Sequence, residues 1–323
     1  MAIYGADAIT FDGAYGHRYW FDEPFTFTGI DEFDKKLSGF PVAVFVPEHR
    51  RREETPLIIA LQGMSAPYGW NAFIVPKLTS MGIAVALFDT PFAGERSLAR
   101  VFNGMVHHEI MPLVERGVRF DTKLLLQVFR STALDIARVQ NFCASQYGLT
   151  NNRVGLFGVS MGVLLGAYAF TTEGIGERLL GAIGHANLQA FARTWGRLWL
   201  PELAASGMGR ILETVISRTK KREFLPLINL LQVANNLKKP DEYGFACNPM
   251  NYVDRVTPYR RIRFLVGAND PIVNVRDARK CAEQFPDGTC YVVPGLAHGV
   301  NKWGSSFVDH VRYFLATQLG DWQ

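Results

Sequence analysis

Between Arg153 and Phe170 the chain runs through a short apolar stretch, a Gly-x-Ser-x-Gly pentapeptide and a longer apolar stretch, a succession that few folds can use. Arg153-Val154-Gly155-Leu156-Phe157 reads as a buried strand and Gly158-Val159-Ser160-Met161-Gly162 as a tight turn. Val163 to Phe170 is apolar and long enough to open a helix. In such a strand–turn–helix the serine sits on strained backbone. The glycines two residues to either side let a neighbouring strand and the helix close on it. Its hydroxyl then stands at a helix N-terminus, where backbone N–H groups favour developing negative charge. With 30 glycines in the chain, the pentapeptide alone is a weak signal, and a plain strand-to-helix connection is the bland alternative. The other residues decide between them.

The surrounding apolar runs are short and unbroken: Val42 to Pro47, Leu57 to Leu61, Ile83 to Phe88, Leu180 to Gly184, Ile262 to Val266 and Tyr291 to Val293. Runs of this kind predict strands buried on both faces, hence a parallel sheet covered by helices. The clearest helix spans Lys123 to Gln146, where Leu126, Phe129, Ala133, Ile136, Ala137 and Gln140 share a face. Arg130 and Asp135 are expected to turn away from it. The alternation predicts a doubly wound, mostly parallel α/β sheet of about eight strands. Residues 192–250 break the rhythm. Trp195, Leu198, Trp199, Leu200, Leu203, Met208, Ile211 and Leu212 make one helical series, and Phe224 to Val233 another, with Arg218 to Arg222 between them. A helical insertion at 192–250 in a core of 1–191 and 251–323 is expected, with a smaller one at Ser97 to Asp121.

Bulk properties bound the functional classes. The 323 residues are 48% hydrophobic and 20% charged, an ordinary globular composition. No apolar run approaches the roughly 20 residues that cross a bilayer. Met1 to Asp7 lacks the basic-then-apolar pattern of a signal peptide, so a cytoplasmic location is expected. A net charge of +4 is too small and diffuse to argue for nucleic acid. The surplus lies in residues 192–250, with nine Lys/Arg against five Asp/Glu. Cys143, Cys247, Cys281 and Cys290 show no metal-ligand spacing. They are expected to be free and mostly buried, with Cys281 and Cys290 the only pair near enough in sequence to raise a disulfide.

A serine nucleophile needs a base. Among His17, His49, His107, His108, His185, His298 and His310, His298 stands out, because Pro294-Gly295-Leu296-Ala297-His298-Gly299 directly follows the last predicted strand. Loops at the carboxyl ends of parallel strands are where such sheets hold their site residues. The base in turn needs a carboxylate to hold its tautomer. Asp270 ends the strand-and-turn Phe264 to Asp270, whereas the rivals Asp254 and Asp277 lie outside any strand end. Ser160, Asp270 and His298 thus fall in the order nucleophile, acid, base, each after its own strand. Oxyanion donors are expected from the backbone N–H of Met161 and of Met64, the latter in Leu61-Gln62-Gly63-Met64-Ser65, where Gly63 permits a sharp turn. His107-His108-Glu109 lacks the spacing that puts two imidazoles on one helical face, so no metal is expected.

From Val42 to its end the chain resembles the α/β-hydrolase superfamily. The turn at Gly158 to Gly162, Gly267-x-x-Asp270, Gly295-x-x-His298-Gly299 and Phe88-Asp89-Thr90-Pro91-Phe92-Ala93-Gly94 carry the likeness. One departure is Gln62-Gly63, where the family usually has His-Gly; the backbone donor is kept and the side chain shaping the loop differs. The resemblance implies that 192–250 forms a helical cap inserted between the sixth and seventh strands of that fold. It also implies a serine hydrolase that cleaves a carboxylic ester of a small apolar or acyl substrate through an acyl-enzyme, with no metal or organic cofactor. The same fold hosts thioesterases, C–C hydrolases and peptidases. A non-catalytic small-molecule binder is the alternative from another class, and the presence of all three triad residues argues against it. Oligomeric state is left open.

Overall fold

The unbroken apolar runs become strands buried on both faces, except the run Tyr291 to Val293, which forms the edge strand and leaves Tyr291 exposed. The computed structural model describes residues 2–48, 51–99, 106–194, 225–298 and 305–322. Strands β1 (Ala2–Phe11) and β2 (Ala14–Asp22) form an N-terminal hairpin. β3 (Phe40–Phe45), β4 (Leu57–Leu61), β5 (Ala84–Phe88), β6 (Val154–Val159) and β7 (Arg178–Ala182) are buried throughout, and β8 (Arg261–Gly267) at all but its first residue. β9 (Thr289–Val293) closes the far edge.

All nine strands belong to one sheet, in the order β1-β2-β3-β5-β4-β6-β7-β8-β9. The pairings β1/β2, β2/β3 and β3/β5 are antiparallel and the rest parallel. The doubly wound, mostly parallel architecture is therefore present, with one strand more than expected. The hairpin escapes a search for apolar runs because it is half buried: on β2, Tyr19 and Phe21 are inside while Arg18 and Trp20 point out.

Helices cover both faces. On one lie α1 (Asp31–Ser38), α4 (Thr122–Tyr147), α5 (Met161–Thr172) and α8 (Val275–Ala282). On the other lie α2 (Val75–Ser80) and α9 (Ser305–Gln318). The long helix α4 starts where the Asp121 carboxylate accepts the Leu124 N–H at 2.9 Å and stops at Gly148, whose φ of +66° suits glycine. Helix α3 (Val106–Glu115) falls in the smaller expected insertion. The larger one yields α6 (Leu225–Lys238), which packs against α3 and α4, and the short α7 (Glu242–Cys247). The Trp195 to Leu212 series and the Arg218 to Arg222 run lie outside the described residues. No described helix is long and apolar enough to cross a membrane. All four cysteines are free, which answers the Cys281–Cys290 question, and burial pushes the Cys143, Cys247 and Cys281 thiols up to about 12.

One expectation on α4 is corrected. Asp135 does not turn away from the core; it is buried, and its Oδ2 accepts from Arg96 Nη1 at 2.6 Å, with the two side chains 1% and 0% exposed. Arg96 also donates from Nε to the Leu37 carbonyl and from Nη1 to the Asp89 carbonyl, and its guanidinium stacks over Phe40. Desolvation lifts the Asp135 pKa and lowers that of Arg96, and each charge offsets the other's penalty. Helical periodicity cannot find such a residue, since its partner is 39 positions away. Asp135→Ala strands a buried guanidinium and is expected to cost about 3–5 kcal/mol in urea unfolding. The double replacement Arg96→Met with Asp135→Leu should recover most of that loss. Asp7→Ala, which breaks the exposed Arg18–Asp7 pair, should stay within about 0.5 kcal/mol of wild type.

Candidate active site

β6 delivers Ser160 to the sheet's carboxyl edge on a backbone of φ +53° and ψ −114°. Its own N–H is tied to the Ala182 carbonyl at 3.0 Å, so the turn is anchored to β7. The flanking glycines are required by contact. A Cβ on Gly162 would run into the Leu61 carbonyl oxygen, and one on Gly158 would stand 2.5 Å from the backbone of Gly162 and Val163. Helix α5 therefore starts almost on top of the ends of β4 and β6, and the serine is pushed out above them.

The three residues chosen from sequence meet there. Ser160 Oγ lies 2.9 Å from His298 Nε2, and His298 Nδ1 lies 2.8 Å from Asp270 Oδ2. Asp270's side chain is fully buried and that of His298 is 9% exposed. The other carboxylate oxygen of Asp270 accepts the N–H groups of Ile272 and Val273, both at 2.8 Å, which holds the carboxylate in place facing the imidazole. Nδ1–H donating to the carboxylate leaves Nε2 free to accept from the serine hydroxyl. Asp254 sits in the turn after α7 and Asp277 in α8, and neither bonds His298.

Met161 is the first residue of α5, and Met64 lies in the loop after β4, where a Cβ on Gly63 would stand 3.7 Å from Ser160 Cβ. Among the described residues neither backbone N–H has an acceptor, as a helix start and an open loop leave them. Gln62 takes a bracing role. Its carboxamide nitrogen donates to the Phe88 carbonyl and its oxygen accepts the Thr90 N–H, each at 2.9 Å, stitching the end of β4 to the end of β5. Asp89, quoted above only within a motif, does the same from the other strand. Its carboxylate accepts the Tyr68 N–H at 2.6 Å and the Glu95 N–H at 2.8 Å, and burial pushes its pKa up to about 6. An acid in the turn that ends a predicted strand is the signal that singles out Asp270, and Asp89, directly after the strand ending at Phe88, fits it as well.

Beside the serine, Met64 and Met161 border a cavity. Among the described residues its walls come from the loops after β4 and β5, from α3, α4 and α5, from residues 188–192 and from Val233, Ala234 and Leu237 of α6, and nearly all of these are apolar. Behind the site, His185 is 1% exposed and its Nδ1 accepts the Asn187 N–H at 3.1 Å. His17 lies on β2, and His310 bonds the Ser306 carbonyl on α9. His49 and the side chains of His107 and His108 lie outside what is described.

The fold and this arrangement define the class: the chain has the α/β-hydrolase fold. Among solved structures, acetyl xylan esterase 1 from Thermoanaerobacterium sp. JW/SL YS485 superposes with a TM-score of 0.59 at 16% identity, covering 98% of this chain and 87% of that one. The acetyl xylan esterase from Paenibacillus sp. R4 gives 0.57 at 14% identity, over 97% and 88%. The acylaminoacyl peptidase of Pyrococcus horikoshii gives 0.57 at 14% identity, over 94% of this chain and 41% of that one. No known family's sequence model and no curated protein matches the chain.

Burial pushes His185 down to about 4, against the pull of the Asp277 and Asp270 carboxylates. Its folded pKa thus lies below the roughly 6.5 of an unfolded chain, and between those values only the unfolded state takes up the proton. The stability this histidine contributes is complete above about pH 6.5 and is lost as pH falls toward 4, by roughly 3 kcal/mol. In chemical unfolding across pH 4 to 7, the stability difference between wild type and His185→Gln should carry that slope, since the opposite slope from Asp89, whose pKa is raised, is common to both proteins.

Proposed function

We propose that the protein is a serine hydrolase that cleaves a carboxylic ester of a small apolar or acyl substrate. The observation that carries this reading is the Ser160–His298–Asp270 relay, with links of 2.9 and 2.8 Å on a strained strand-to-helix turn. Ser160 Oγ attacks the ester carbonyl as His298 Nε2 takes its proton. The Met64 and Met161 N–H groups receive the oxyanion, and Asp270 keeps the imidazole in its tautomer and stabilises the imidazolium. His298 then protonates the leaving alcohol, an acyl-enzyme forms on Ser160, and a water activated by His298 releases the acid. None of these steps calls for a metal or organic cofactor.

The reading extends to the cavity and the insertion. Residues 192–250 act as a cap, with α6 walling the side of the cavity away from the sheet and the apolar lining taking the acyl chain. The esterases among the similar solved structures agree with ester chemistry on this fold, and the peptidase shows that the fold is compatible with amides. The largely apolar lining of the cavity among the described residues favours an ester.

A fluorophosphonate probe is expected to label the wild type on Ser160 and to leave Ser160→Ala unmodified. p-Nitrophenyl esters of increasing acyl length should be turned over by the wild type, and kcat should fall by about 10⁴-fold or more in Ser160→Ala. Stoichiometric labelling without ester turnover would move the reading to thioesters or amides. No labelling of folded protein would reject hydrolysis and favour a binding role.

A further inference from the structure

Helix α5 carries neighbouring rows of side chains that face different ways. Gly162 and Gly166, one turn apart, look onto the sheet: a Cβ on Gly166 would stand 3.1 and 3.2 Å from the Leu179 and Leu61 side chains. Met161 and Leu165, also one turn apart, both line the cavity. Met161 opens the helix beside Ser160, and its N–H is the proposed oxyanion donor. The cavity therefore runs along α5 for at least one turn, from the reacting carbonyl to Leu165.

Helix α4 supplies Leu125, Val128 and Phe129 to the same space, all three buried. Phe129 marks where it stops. Its ring meets that of Tyr168 edge to face, with the centroids 5.3 Å apart. Tyr168 stands one turn beyond Leu165 on the same side of α5; it is buried and, among the described residues, is not part of the cavity wall. One turn past Leu165, the gap between α4 and α5 is thus filled by packed aromatic rings. Leu165 and Phe129 form the inner end of the cavity, and an aromatic pair held between two buried helices yields little to a longer chain.

The length of this run can be compared with an acyl chain. From Met161 to Leu165 the helix rises about 6 Å, and an extended chain of C–C bonds near 1.5 Å advances roughly 1.3 Å per carbon. Helical side chains lean toward the N-terminus, so Leu165 reaches back toward Met161 and takes up part of that length. About three to five carbons then fit beyond the carbonyl. We infer that Leu165, backed by Phe129, is the specificity-determining residue that sets acyl length, and that the preferred substrates are esters of straight-chain acids of about four to six carbons. This rests on the ester-hydrolase reading and narrows it. A shorter acyl group leaves apolar wall uncovered, and a longer one meets the Leu165 side chain.

The test is the kcat/KM profile over p-nitrophenyl esters from acetate to dodecanoate for wild type, Leu165→Ala and Leu165→Phe. Leu164→Ala is the control, a truncation of the adjacent buried residue of α5 that does not line the cavity. In the wild type kcat/KM is expected to rise about fourfold per methylene up to the optimum and to fall beyond it. Leu165→Ala should move the optimum up by about two carbons, and Leu165→Phe should move it down toward acetate. Leu164→Ala should leave it in place. If Leu165→Ala does not fold, Leu165→Val is the milder truncation, with an expected upward shift of about one carbon. An optimum that none of the Leu165 variants moves, or that Leu164→Ala moves as far, overturns the assignment and leaves ester hydrolysis standing. So does a shift seen only with alkyl acetates of increasing alcohol length, which would put the leaving group in the cavity. A wild type inert toward every ester, and unlabelled by the fluorophosphonate, rejects the hydrolase reading and this one with it.

Discussion

The structure turns on how closely α5 approaches the carboxyl ends of β4, β6 and β7. Gly162 lies against the Leu61 carbonyl, Gly158 against the first turn of α5, and a Cβ on Gly184 would stand 2.9 Å from the Ser160 carbonyl oxygen. With side chains at these positions, the helix would stand off from the sheet and Ser160 could relax out of its left-handed conformation. Strain of that kind costs about 1–3 kcal/mol. Burial offsets it: every residue of α5 from Gly162 to Thr171 is inside, and each large apolar side chain buried contributes roughly 1.5–3 kcal/mol.

The same edge concentrates strain elsewhere. Of the six described non-glycine residues with positive φ, Ser65, Phe92, Ser160 and Ile183 follow β4, β5, β6 and β7 within four residues. These are the points where rigid strands hand over to site loops, and the loops are braced rather than slack. Gln62 ties β4 to β5, Asp89 ties the β5 end to Tyr68 and Glu95, and Arg96 holds the Asp89 carbonyl while paired to Asp135 on α4. Through these links the loop carrying Met64 is supported by the packed core.

Sheet and cavity divide the work. The sheet ends hold Ser160, His298 and Asp270 in hydrogen-bond contact. The cavity walls come mostly from segments between strands: α3, α4, residues 188–192 and α6. A shared architecture at 14–16% identity speaks to the fold alone.

The sequence by itself determined the doubly wound parallel sheet and the order of Ser160, Asp270 and His298 after their strands, because fully buried strands leave continuous apolar runs and strand-end loops leave glycine and acid signatures. Local pattern could not reach the β1–β2 hairpin, whose exposed Trp20 and Arg18 interrupt any apolar run, nor Asp135, buried only because Arg96 comes to it from 39 residues away. The closed links of the relay and the bracing by Gln62 and Asp89 were decided by tertiary structure alone. Each depends on the distance between groups far apart in the chain, and that distance exists only once the sheet has brought its strand ends together.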